Sequence, residues 1–212
     1  ANRNPNATMY ERTLSRDEYM DARWISEPLC LFDNCLETDG ALAVVVTSAE
    51  RARDLRQPPV YVHAYAQSIS AQHQVMTNYF THDPLRGPSY ACAERLWRLA
   101  GVGPDDIDVA QLYDAFSPLI PLSLEGYGFC ERGEGAAFTD DGALEWPNGR
   151  LPTNTSGGGM SEAYVHGFNL VLEGVRQIRG TSTSQVDGAS VSLVTSGEGV
   201  PTSAVIFTGS PA

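Results

Sequence analysis

Along this chain, short apolar runs bounded by turn residues take turns with segments whose apolar positions recur every three to four residues, the signatures of strands and of helices. Ser15 predicts a cap for a short helix running through Met20, with Asp17 and Glu18 in the first turn, where carboxylates complement the helix dipole. The mainly apolar stretch 29–35 leads to the turn signal Asp39-Gly40. The nearly continuous apolar run 41–46 then predicts a buried strand, and Ser48 a cap for a charged helix over 49–55. Pro58-Pro59 breaks the pattern. Residues 60–66 predict a second strand, and 67–88 an irregular polar stretch of the kind that forms a binding loop or contact surface. Residues 89–100 predict an amphipathic helix with Cys92, Leu96, Leu99 and Ala100 on one face, stopped by Gly101 and Gly103-Pro104.

A strand over 106–112 and a mostly apolar helix over 115–126 come next, followed by a segment rich in glycine and acids, 128–149, that predicts loop with short strands. The glycine-dense Asn154-Thr155-Ser156-Gly157-Gly158-Gly159 opens a helix predicted over 161–179 and closed by Gly180. Apolar strands over 189–195 and 203–208 are joined by Ser196-Gly197-Glu198-Gly199, a hairpin signature. Buried strands alternating with helices give an α/β fold, a mixed sheet with helices on both faces.

A chain of 212 residues can bury a real core as one large domain or two small ones. The formal charge of -12 argues against a nucleic-acid surface, which needs clustered Lys and Arg. No stretch reaches the roughly 20 apolar residues that cross a bilayer, and the polar start does not resemble a signal peptide, so the chain is expected in the cytoplasm. Asn2-Arg3-Asn4-Pro5-Asn6 enters at once into a turn-forming segment without an initiator Met, and reads as the continuation of something longer. Cys30, Cys35, Cys92 and Cys130 form no C-x-x-C pair and no metal spacing with His63, His73, His82 or His166. Reduced, mostly buried thiols and no metal are the expectation.

Three segments adjoin predicted buried strands, where α/β folds place their sites: Gln111-Leu112-Tyr113-Asp114-Ala115-Phe116, residues 154–167, and Thr195-Ser196-Gly197-Glu198-Gly199. Each is a weak signal alone. His63, His73 and His82 read as loop or interface residues, and Asp140-Asp141 as a solvated turn.

In order and content these segments resemble the C-terminal half of the thiolase superfamily. The resemblance is closest to sterol-carrier-protein-x type thiolases and the thiolase-like aldolases of steroid side-chain degradation, and runs along nearly the whole chain. Asp33-Asn34-Cys35-Leu36-Glu37-Thr38-Asp39-Gly40-Ala41 looks like the first part of that half. Residues 108–116 match the segment where thiolases carry Asn-Glu-Ala-Phe, and Gly128-Phe129-Cys130-Glu131-Arg132-Gly133-Glu134-Gly135 matches the x-type branch. Residues 154–167 match the Asn-x-x-Gly-Gly to Gly-His-Pro-x-Gly loop, and the final hairpin matches the loop with the second thiolase cysteine. The resemblance implies residues 1–30 as part of the thiolase loop region. It implies 31–212 as the C-terminal thiolase-like domain, with insert loops near 67–88 and 128–150.

The departures redirect the chemistry. Tyr113 replaces the motif's Asn, Tyr164-Val165 stands where the family has its catalytic His before Pro, and Thr195 stands at the second Cys. A Thr hydroxyl does not substitute for a thiolate at neutral pH, so Claisen condensation and thiolysis are disfavoured. A retro-aldol step asks for less: a base for a β-hydroxyl proton, donors for the enolate oxygen, and an acid for the new α-carbon.

The resemblance to thiolase-like aldolases implies Tyr113 and Tyr164 as the proton-transfer groups, with base and acid unassigned and His166 or Asp114 orienting one of them. A free phenol titrates near 10, so the base-acting one needs either a lowered pKa or a hydrogen-bond network that passes its proton on. Ser156, Gly157, Gly158, Thr195 and Gly197 are the supporting or substrate-binding candidates, and backbone N–H groups of the glycine loops are expected to hold the thioester oxygen. The expected reaction cleaves a β-hydroxyacyl-CoA, plausible as a steroid side-chain intermediate, into a ketone and a short acyl-CoA such as propionyl-CoA. CoA enters only as part of the substrate, and no cofactor is implied. The family further implies a homodimer through the thiolase core and an accessory OB-fold, zinc-ribbon protein. The rival readings are a non-catalytic acyl-CoA or lipid-binding homologue, and an x-type thiolase whose nucleophilic Cys lies outside this chain.

Overall fold

The computed structural model describes residues 1–69, 81–198 and 201–211. Helix α1 (Arg16–Met20) begins as predicted: the Ser15 hydroxyl accepts from the Glu18 N–H, and the Glu18 carboxylate accepts from the Ser15 N–H. A small antiparallel ribbon follows, β1 (Trp24–Ser26) with β2 (Leu29–Cys30), then a 3-10 turn at Leu31–Asp33. Tyr19 and Ser117 donate to Asp33 across that turn, at 2.6 and 2.5 Å, and tie the N-terminal region to the body.

The run 41–46 is not a strand. It pairs with nothing among the described residues, and Val45 and Val46 stand 90% and 82% exposed. An apolar run shows a tendency to be buried but cannot name the edge it will join, and neither edge of the main sheet takes it. The helix after it, α2 (Ala49–Ala52), is shorter than predicted. It buries no side chain, so little beyond the Ser48 cap sustains it.

The main sheet contains β3 (Tyr61–Ser68), β4 (Val109–Gln111), β5 (Val191–Thr195) and β6 (Thr202–Thr208), in the order β3-β6-β5-β4. The β3–β6 and β6–β5 pairs are antiparallel and the β5–β4 pair is parallel, a mixed sheet. On one face lies α3 (Ser89–Ala100), where Cys92, Ala93 and Leu96 meet Ala64, Ala66, Leu193, Ala204 and Ile206 in the larger core. Its C-terminus is closed by Gly101 in the left-handed region and by His63, whose Nε2 lies 2.9 Å from the Ala100 carbonyl.

Helix α4 (Leu119–Gly126) starts four residues later than predicted, after Pro118, because a residue that precedes proline is pushed out of helical geometry. The segment 128–149 holds α5 (Gly135–Phe138) and a 3-10 turn at Asp140–Gly142 in place of the short strands expected. Asp140 and Asp141 are exposed, as a solvated turn requires.

The helix predicted over 161–179 is interrupted. A single turn, α6 (Gly158–Ser161), gives way to an irregular stretch before α7 (Phe168–Arg179) begins. His166 (φ 50) and Gly167 (φ 76) are both left-handed there, which no continuous helix accommodates. Helix α7 covers the opposite face of the sheet from α3, with Leu170 against Val194 and Phe207. Its buried face is also strongly polar, with Asn169, Glu173 and Gln177 inside.

Candidate active site

The end of β4 and the 154–167 loop place Tyr113 and Tyr164 together. Their hydroxyls are hydrogen-bonded, and the ring centroids are 6.1 Å apart. His166 completes an aromatic trio, its centroid 6.2 Å from Tyr113 and 5.7 Å from Tyr164. Among the described residues neither nitrogen of the His166 ring is engaged by another protein group. A cleft of about 330 Å³ opens beside Tyr113 and His166, lined further by Phe168, Thr195, Tyr65 and Val205. A larger cleft of about 720 Å³, lined by Tyr90, Trp97, Tyr127, Arg132 and Phe138, contains none of the predicted site residues.

Tyr113 is fixed on every side. Its N–H donates to the Thr195 hydroxyl at 3.3 Å. Gly167 and Gly197 flank its ring so closely that a Cβ on Gly167 would stand 2.8 Å from Cδ2, and one on Gly197 closer still to Cδ1. Both positions therefore need glycine for ring access, apart from any backbone demand. Burial, and next the hydrogen bond with Tyr164, push the Tyr113 phenol above its ordinary value. The lowered phenol pKa admitted from the sequence is not found at Tyr113.

Asp114 touches neither phenol through a hydrogen bond among the described residues. Its carboxylate accepts from the N–H of Gly159 at 2.7 Å and of Met160 at 3.3 Å, pinning the first turn of α6. Burial raises it to about 6 against those hydrogen bonds. A Cβ on Gly158 would collide with this carboxylate, which explains the glycine at that position. The same contacts narrow the expected oxyanion site. The N–H groups of Gly159 and Met160 go to Asp114 and that of Gly157 to the Asn154 carbonyl, so these three are not free to hold a thioester oxygen. Ser156 also faces away from the phenols, donating to Glu162 at 2.6 Å.

Residues not singled out from the sequence do much of the positioning. Asn154, itself left-handed (φ 48), accepts from the Leu112 N–H at 2.8 Å and donates to the Leu112 carbonyl at 2.9 Å, acting as a strand partner for the end of β4. Thr38 accepts from the Tyr164 N–H at 3.1 Å. Glu162 and Glu173 are buried carboxylates that gather donors from several segments. The legible signal was Glu173 on the face of a helix shared with Leu170 and Gln177; Thr38 and Glu162 fell within matched segments with nothing to mark their own roles. Cys35 lies close enough to act on the Tyr113 phenol, but burial and then Asp114 push its thiol up, away from the thiolate form. Gly199 and His73 fall outside the described residues.

The chain is 48% identical over 205 residues to the 17-hydroxy-3-oxo-4-pregnene-20-carboxyl-CoA lyase of Mycobacterium tuberculosis, covering 96% of this chain and 53% of that protein. It is 45% identical to a steroid side-chain-cleaving aldolase of Thermomonospora curvata, again over 205 residues, covering 96% of this chain and 52% of the relative. The chain thus spans about half the length of these curated relatives. A solved structure described as an Ltp2-ChsH2(DUF35) aldolase superposes with a TM-score of 0.95 at 44% identity, covering 98% of this chain and 55% of that one. A monomeric SCP2-thiolase like protein from Mycobacterium smegmatis shares the fold at a TM-score of 0.63 and 19% identity, covering 99% of this chain and 43% of that one. Residues 67–208 match the family model described as thiolase C-terminal domain-like, and the chain belongs to that family.

Proposed function

We propose that this chain carries the proton-transfer site of a retro-aldol lyase that cleaves a β-hydroxyacyl-CoA, with a steroid side chain as the acyl group. The observation that carries the reading is the hydrogen bond between the Tyr113 and Tyr164 hydroxyls beside an open cleft. The names of the relatives support the same reaction class.

In the step itself, one phenol oxygen takes the β-hydroxyl proton while its own proton passes to the second phenol. The Cα–Cβ bond breaks, the Cβ oxygen becomes a ketone, and the electron pair moves onto Cα and the thioester carbonyl as an enolate. In the same concerted movement the second phenol delivers its own proton to Cα as it receives that of the first, giving the shortened acyl-CoA. Each tyrosine accepts one proton and gives one, so both remain neutral and neither needs a depressed pKa. That fits a Tyr113 phenol held protonated by burial. His166, whose ring nitrogens have no protein hydrogen-bond partner among the described residues, faces the developing oxyanion. The chain works as part of a homodimer with an accessory protein of the DUF35 type, the partner named with the superposed aldolase.

Tyr113→Phe and Tyr164→Phe test the reading. Each is expected to lower turnover of a steroid β-hydroxyacyl-CoA by about 10²–10⁴-fold while leaving thioester binding intact. Unchanged turnover in both would remove the proposal, and binding without turnover in the wild type would indicate a non-catalytic acyl-CoA binder.

A further inference from the structure

Tyr164 and His166 sit on the stretch between α6 and α7, a short loop with two consecutive left-handed residues at its end. Such a backbone persists only where its surroundings over-determine it. Thr38 and Leu36 hold the loop and its preceding helical turn on one side, with Tyr164 N–H to Thr38 at 3.1 Å and Leu36 N–H to the Gly159 carbonyl at 3.0 Å. On the other side lies the N-terminal segment: the N–H of Thr8 reaches the Glu162 carbonyl at 2.8 Å and that of Met9 the Ser161 carbonyl at 3.1 Å.

The side chains converge on one carboxylate. Glu162, 7% exposed, accepts from Asn4 Nδ2 at 3.0 Å, Ser156 Oγ at 2.6 Å, Asn169 Nδ2 at 3.1 Å and Arg176 Nη1 at 3.4 Å. Those donors come from the N-terminal segment, the glycine loop and α7. Asn4 is 3% exposed and fully engaged. Its Oδ1 accepts from the Asn6 N–H at 3.0 Å, and its Nδ2 also lies 3.3 Å from the Ser156 carbonyl. A carboxylate only accepts, so it suits a site where every neighbour donates.

We infer that Glu162, buttressed by Asn4 of the N-terminal turn, is a positioning residue that holds the Tyr164 hydroxyl in register with Tyr113. Neither residue touches the phenols; both act through the backbone two residues before Tyr164. The inference rests on the two-phenol reading of the site. Misplacement of a reacting group by about 1 Å costs on the order of a hundredfold in rate, so small slack in this loop is enough to show in turnover.

The test compares Glu162→Ala, Glu162→Gln and Asn4→Ala in the intact enzyme by kcat, KM and ultraviolet titration of the tyrosines, each normalised to the folded fraction. Glu162→Ala is expected to lose about a hundredfold in kcat with KM roughly unchanged, because proton-transfer geometry matters in the transition state alone. Glu162→Gln keeps one accepting oxygen and recovers part of that loss, and Asn4→Ala loses about tenfold, on the same scale. In Glu162→Ala the Tyr113 phenol titrates at lower pH than in the wild type, as it does in Tyr164→Phe, because the hydrogen bond that helps to raise it is loosened while burial still holds it above its ordinary value. Wild-type kcat and titration in the folded Asn4→Ala and Glu162→Gln proteins would overturn the inference, and so would losses fully accounted for by unfolding. Failure of the lyase reading looks different: the wild type itself would not turn over, while the phenol titration would still report whether Glu162 holds the pair.

Discussion

Tyr113 illustrates how much of a site rests on side chains that are missing. Gly167 and Gly197 leave room for its ring, Thr195 accepts from its backbone, and Asn154 fixes the strand end just before it. Gly197→Ala is expected to push the ring out of register and lower kcat by about a hundredfold. Gly180 makes the comparison: it is also left-handed, but a Cβ there meets nothing within 4 Å. Gly180→Ala should therefore cost only the strain of the left-handed backbone, about 1 kcal/mol, with kcat unchanged, as denaturant titration and steady-state kinetics would show. At this scale the candidate residues Tyr113 and Tyr164 were legible, because they break the pattern the chain resembles, and the fold brings their hydroxyls together. The residues that hold them were not. Glu162 looks like any charged residue in a loop, and only the meeting of separate chain segments makes it a buried acceptor.

Elements with a repeating apolar face and a clear stop signal were read closely. The helix 89–100 is found at Ser89–Ala100 because Gly101 and the buried stripe of Cys92, Leu96 and Ala100 agree, although Leu99, expected on the same face, is 58% exposed. Leu96 is fully buried in that stripe, so Leu96→Ala is expected to destabilise the fold by about 2–5 kcal/mol in a denaturant titration while activity per folded molecule stays the same. Elements whose existence depends on distant partners were misread. The run 41–46 has strand composition but pairs with nothing described, and the predicted helix 161–179 hides a break at His166-Gly167 that apolar spacing does not reveal. That break is where the candidate site lies, since a continuous helix would carry Tyr164 and His166 around its axis and away from Tyr113.

Across the whole molecule, a chain of formal charge -12 keeps several carboxyls inside. Burial raises Asp114 to about 6 and Glu198 to about 7. Because these folded-state values lie above the unfolded ones, the folded state binds more protons, and stability falls as pH rises through 6 to 7. Glu198→Gln is expected to flatten that fall by on the order of 3 kcal/mol, measured as unfolding free energy at pH 5 and pH 8. Asp33 has the opposite sign. Burial raises it, but Ser117, Tyr19 and the Cys30 N–H together hold it at about 2, so its contribution is present above pH 4 and is lost as pH falls toward 2. The sheet and its two covered faces, visible in the alternation of strands and helices, set the frame in which the two phenols meet. The most direct measurement of their joint role is a double-mutant cycle of Tyr113→Phe and Tyr164→Phe on cleavage of a steroid β-hydroxyacyl-CoA by the intact enzyme. A shared proton relay predicts that each single variant loses nearly as much kcat as the double variant. Losses that multiply as independent factors, or a single variant with wild-type kcat, would contradict it.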